Sequence, residues 1–113
     1  MSTFIDTSIL IDHTRGLQAA HEALTRAVEQ GELHSSEIVR TELLVLIPHQ
    51  ELEAIAPLLG AIIWHPVDRQ ISEAAGSLGR TWLPSHNGID AADFIIAATA
   101  TLLNAELLTK NVK

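Results

Sequence analysis

Acidic side chains at three places in this sequence are positioned for chemistry. Asp6 follows the apolar run Thr3-Phe4-Ile5 and precedes Thr7-Ser8, so it would sit where a buried strand gives way to a helix. In open parallel sheets, ligands gather outside the carboxyl ends of the strands. The same placement also suits a plain helix N-cap, and spacing leaves both uses open. Glu42 lies inside EIVRTELLVLI, on one helical face with Ile38 and Val45. A carboxylate on an apolar stripe needs a cation, a metal, or a route to water, for instance toward Arg40. Asp90 and Asp93 are i and i+3 at the start of a nearly all-apolar segment, and so share the first turn of a helix. The helix dipole accounts for acids there. Two on one face can equally bind a hard divalent cation such as Mg²⁺, which takes oxygen ligands and keeps several waters.

The composition narrows that chemistry. There is no Cys, which excludes disulfides, thiolate zinc sites and cysteine nucleophiles. Asp and Glu number 14 against 7 Lys and Arg, a net of −7, so a basic nucleic-acid groove is not the obvious reading. Acidity of this kind fits plain solubility, a cationic partner, or carboxylates around a metal. None of the six His forms an i, i+4 pair or a zinc motif, and His13, His65 and His86 read as surface or loop residues. With four aromatics in all, Trp64 and Trp82 read as core or interface residues rather than stacking platforms. The start has no basic leader, and the apolar run Phe94 to Leu103 is too short for a bilayer, so a soluble, cytoplasmic protein without a membrane partner is expected.

The elements that must position the acids alternate between strand and helix along 113 residues, one domain's worth. Strands are expected at Thr3 to Ile5, Leu33-His34, Ala61 to Val67 and Glu106 to Thr109. Helices are expected from about Thr7 to His13, Leu17 to Gln30 (stopped by Gly31), and Glu37 to about Ile47 (capped by Ser35 or Ser36 and ended by Pro48). Gln50 to Leu59 reads as a helix that Pro57 kinks or splits. Asp68 caps another through about Trp82, LPSHNG forms a loop, and Ile89 to Leu103 forms the last helix. This alternation gives an α/β fold with a central parallel sheet of four to five short strands flanked by helices.

In that frame the sequence resembles the PIN-domain ribonucleases, and most closely the VapC-type toxins of toxin–antitoxin pairs. FIDTSILID is similar to the family's first strand and turn, SSEIVRTELL to its second motif, and DFIIAATATLLNAELLTKN to its third. The resemblance implies a PIN-like fold, with Asp6, Glu42 and Asp93 as the acidic ligands of Mg²⁺ or Mn²⁺. The family's fourth acidic position falls in Thr109-Lys110-Asn111, where Asn111 offers an oxygen without charge, and Asp90 is the charged substitute. It also implies a C-terminal end slightly shorter than the family's.

The activity so implied is metal-dependent endonucleolytic cleavage of RNA, with a homodimer and a VapB-like antitoxin as partners. Ser8 could reach a metal-bound water or phosphate, or simply cap the first helix. Thr109 could orient Asp6, or be an ordinary strand-end residue. Arg15, Arg40, Arg80, Lys110 and Lys113 are candidate phosphate contacts, with Arg80 and Lys110 nearest the motifs, or else solvated surface charges. Leu43, Leu44, Leu46 and Ile47 cover more than one helix face, so some either meet a partner or join the core. The alternative is a non-catalytic PIN-fold module that binds RNA or protein. A response-regulator-like domain would instead cluster acids after its first strand and carry a later strand-end Asp and Lys, an arrangement this sequence lacks.

Overall fold

A computed structural model of the chain describes residues 2–82 and 90–109. Four short strands, β1 (Thr3–Ile5), β2 (Leu33–Ser36), β3 (Ile63–His65) and β4 (Glu106–Leu108), form one sheet in the order β3-β2-β1-β4. All pairings are parallel; Thr3 lies beside both Leu33 and Glu106, and Ser36 beside His65. The three residues of β1 are fully buried, as expected for a central parallel strand covered on both faces. The sequence expectation of a parallel α/β sheet with four strands is met.

The helices are α1 (Thr7–Thr14), α2 (Gln18–Gln30), α3 (Glu37–Leu46), α4 (His49–Ala54), α5 (Ala56–Gly60), α6 (Arg69–Trp82) and α7 (Ala91–Leu102). The expected helix over Gln50 to Leu59 is two: Pro57 is the second residue of α5 and cannot continue the ladder of α4. The loop expected at 83–88 lies outside the described residues. Helix α2 lies against the face that carries Thr3, Glu106 and Leu108, with which its Ala23, Arg26 and Ala27 line a small cavity. Helices α6 and α7 pack as an antiparallel pair near His65, whose alternate parity in the strand points it to the opposite face.

That division follows from strand order. The chain steps from β1 to β2 to β3 in one direction, then crosses back to place β4 on the other side of β1. With right-handed crossovers, reversing direction changes the face that carries the helices. The reversal creates a switch point between β1 and β4, where strand ends splay and a site can form. The return into β4 is sharp. Asn104 takes a left-handed φ of 53°, Ala105 N–H donates to the Ala100 carbonyl at 3.0 Å, and Asn104 N–H to that of Thr101 at 3.0 Å. This is a Schellman cap, which satisfies the last carbonyls of α7.

One core joins the layers. Phe4, Ile5, Leu10, Val39 and Leu43 are nearly inaccessible, with Leu24, Leu33, Ile47, Ile62, Ile96 and Ala100 around them. The face of α3 that enters this core carries Val39 and Leu43. Val45, expected in the buried stripe with Ile38 and Glu42, is 76% exposed. Apolar residues run almost all round the end of this helix, so their periodicity does not select a face.

Candidate active site

Asp6 leaves β1 at the switch point and caps α1. Its Oδ1 accepts from the Ser8 backbone N–H at 3.0 Å, from Ile9 N–H at 3.4 Å and from the Ser8 hydroxyl at 2.6 Å. The cap and the functional placement therefore coexist: among the described residues no hydrogen bond reaches Oδ2. The Asp6 N–H donates to the Leu108 carbonyl at 3.3 Å, tying the turn to the end of β4. Ser8 Oγ also stands 3.2 Å from Thr109 Oγ1. Thr109 thus reaches Asp6 through Ser8 rather than directly, and the Ser8 hydroxyl is engaged with its neighbours.

Ser36 caps α3 by accepting from Ile38 N–H at 3.1 Å, which starts that helix at the same edge of the sheet. Glu42 is half-buried in it and accepts a hydrogen bond from the Thr7 hydroxyl, the residue next to Asp6. The route toward Arg40 is not used. Arg40 pairs with Glu37 at 2.6 Å and lies over the Trp64 ring at 4.3 Å. Trp64 itself donates from Nε1 to the Leu59 carbonyl at 2.9 Å, as a core-edge residue should.

Helix α7 feeds β4 at the start of that strand. Its N-terminus therefore projects toward the opposite edge, where Asp6 stands. Asp90 and Asp93 form a reciprocal cap: Asp93 N–H donates to Asp90 Oδ1 and Asp90 N–H to Asp93 Oδ2, each at 3.2 Å. Asp93 is open to solvent, yet its pKa is raised. Partial burial is the largest cause. The charges of Asp90 and Asp6 add to it, and the backbone hydrogen bond from Asp90 opposes it. Asp6 and Asp93 are therefore close enough to repel. Among the described residues, no three His, Asp or Glu stand together as a preformed metal cage.

These donors suit a hydrated hard cation better than a tightly caged one. All are oxygens, they come from three separate elements, and the repulsion felt by Asp93 would be relieved by positive charge. Arg80 lies in the last turn of α6, beside Gly79, where an added Cβ would stand 3.5 Å from the Phe94 ring. The antiparallel packing thus brings the Arg80 end of α6 to the Asp93 end of α7. Lys110, Asn111, Lys113 and His86 lie outside the described residues.

The histidines depart from the expectation. His65 lies within β3 and its Nε2 is 2.8 Å from Nδ1 of buried His34, while His34 Nε2 is 3.2 Å from Glu32 Oε1. His13 is half-buried at the end of α1, its ring stacked on His21 at 5.6 Å. Both pairs bridge residues far outside i, i+4 spacing, so helical periodicity could not reveal them. Sequence reasoning also missed Thr7, which reads as the start of the first helix.

The PIN domain family matches residues 3–113. Ribonuclease VapC19 of Mycobacterium tuberculosis is 43% identical over 110 residues, spanning 96% of this chain and 88% of that protein. A toxin–antitoxin complex from Klebsiella pneumoniae superposes with a TM-score of 0.79 at 27% identity, covering 98% of this chain and 88% of the other. VapBC2 from Rickettsia felis, solved bound to a DNA fragment from its promoter, shares the fold with a TM-score of 0.81 at 22% identity, covering 100% of this chain and 90% of the other. With this family match, the identity to a VapC ribonuclease over most of both chains and the parallel sheet that the solved structures share, the chain belongs to the PIN-domain family, in its VapC group.

Proposed function

We propose that this chain is a Mg²⁺- or Mn²⁺-dependent endoribonuclease toxin, neutralised by a VapB-like antitoxin and active as a homodimer. The reading is supported by the 43% identity to a VapC ribonuclease and by the Thr7–Glu42 hydrogen bond, which ties the second motif acid to the turn that carries Asp6. Asp6, Glu42 and Asp93 would hold the ion directly or through water, with Asp90 and Asn111 as further oxygen donors. When bound, a divalent ion acidifies a water and offsets charge on the phosphate.

The chain's own groups supply the rest. One of these carboxylates would also orient or deprotonate the attacking water. Ser8 fixes Asp6 through Oδ1 and leaves Oδ2 for the ion. Arg80 and Lys110 would contact RNA phosphates. Leu44, Val45 and Leu46, each 60% exposed or more on α3, offer apolar surface to a partner protein.

The test is cleavage of a structured RNA by the wild type, Asp6→Asn and Asp93→Asn, with and without EDTA. Wild-type cleavage with Mn²⁺ should fall by about 10²-fold or more on either substitution or on chelation. Equal activity throughout would overturn the proposal. Metal stabilisation without cleavage would point to the non-catalytic module instead.

A further inference from the structure

We infer that Thr7 is a positioning residue for Glu42, so that one turn of chain sets two of the three acids. The inference rests on the metal-nuclease reading above. Glu42 is half-buried, and among the described residues the one hydrogen bond that reaches its side chain comes from the Thr7 hydroxyl, 35 residues away. Its nearest basic neighbour in sequence, Arg40, is committed to Glu37 and Trp64. A half-buried carboxylate with one donor takes its direction from that donor.

Thr7 is suited to give that direction. It is the first residue of α1, and its branched Cβ restricts the hydroxyl to few orientations. The bond goes to Oε1, so Oε2 remains for another ligand. The next residue does the same for the first acid: Ser8 donates to Asp6 Oδ1 and leaves Oδ2. Adjacent hydroxyls therefore hold one oxygen each of two carboxylates that belong to different helices and different motifs. Ser8 stays within its own turn, whereas Thr7 spans from α1 to α3 and registers Glu42 against Asp6. A partner of this kind acts on metal affinity by orienting a ligand, not by touching substrate.

The experiment compares wild type, Thr7→Ser and Thr7→Val by Mn²⁺ titration calorimetry without RNA, and by cleavage as a function of Mn²⁺. Thr7→Val keeps the shape and removes the donor. It should weaken Mn²⁺ binding by about tenfold and move the half-saturating Mn²⁺ for cleavage equally, while saturating Mn²⁺ restores most of kcat. Thr7→Ser should bind within about twofold of wild type. Thr7→Ala repeats the donor loss in a smaller side chain should valine fail to fold. Unchanged Mn²⁺ affinity in the donorless variants, or lost kcat with an unmoved metal midpoint, would overturn the role. If the wild type neither binds Mn²⁺ nor cuts RNA, the metal-nuclease reading falls and this inference with it.

Discussion

Asp93 is held ionised at a cost to the folded chain. Its raised pKa means that the native state binds that proton more tightly than the unfolded state does above the ordinary value of 3.8. By linkage, the folded state loses relative stability as pH rises through that window, and near neutrality the full cost is present. Asp93→Asn removes the charge while keeping an oxygen to accept from Asp90 N–H. The metal-free variant should therefore melt above wild type near pH 7 at low salt, although it should no longer cut RNA. Mn²⁺ should raise the melting temperature of the wild type and leave the variant almost unmoved. A lower melting temperature for the metal-free variant would show that the cap to Asp90 outweighs the repulsion. The local part of this site was legible in the sequence, because Asp6, Asp90 and Asp93 act on backbone within three residues of themselves. The bond from Thr7 to Glu42 was not, since it depends on how α1 docks against α3.

The elements were legible wherever a polar residue punctuated them. Asp6, Ser36, Asp68 and Asp90 each sit just before a helix, and each accepts from backbone of its first turn. Faces were harder. In α3 the run from Leu43 to Ile47 is continuous, so the stripe of Ile38, Glu42 and Val45 was as plausible as that of Val39 and Leu43. Packing against α1 and α7 chose the second. Leu43 is 1% exposed and Val45 76%, which makes a sharp pair of substitutions. Leu43→Ala should cost about 2–5 kcal/mol by urea unfolding, through lost burial and a residual cavity. Val45→Ala should stay within about 0.5 kcal/mol. Equal costs would mean that α3 is rotated from the orientation described.

At the scale of the molecule, the order β3-β2-β1-β4 decides which strand ends and helix starts become neighbours, and alternation of strands and helices could not give that order. The two histidine pairs are likewise products of assembly, one between α1 and α2, the other between β2 and β3. Rings 5.1 Å apart and within 24° of coplanar, with nitrogens at 2.8 Å, describe an in-plane N–H···N bond between His34 and His65. In the neutral pair, Glu32 accepts from His34 Nε2–H, so His34 Nδ1 is the acceptor and His65 Nε2–H the donor. Glu32 and Asp68 are the carboxylates beside the pair. Burial lowers the pKa of His65 and the neighbouring His34 lowers it further; burial and His21 do the same to His13. The unfolded chain then takes up these protons first, below the ordinary value of 6.5. Stability is full above that value and is lost as pH falls through the window beneath it. Two effects oppose this loss. Asp93 regains stability near the acid end of the range, and protonation shrinks the net charge of −7. Replacement of one ring isolates its share: urea unfolding of the metal-free chain between about pH 7 and about pH 5 should show a shallower acid loss for His65→Gln than for wild type. Equal slopes would place the proton uptake elsewhere, and a steeper slope for the variant would reverse the sign argued for the β2–β3 pair.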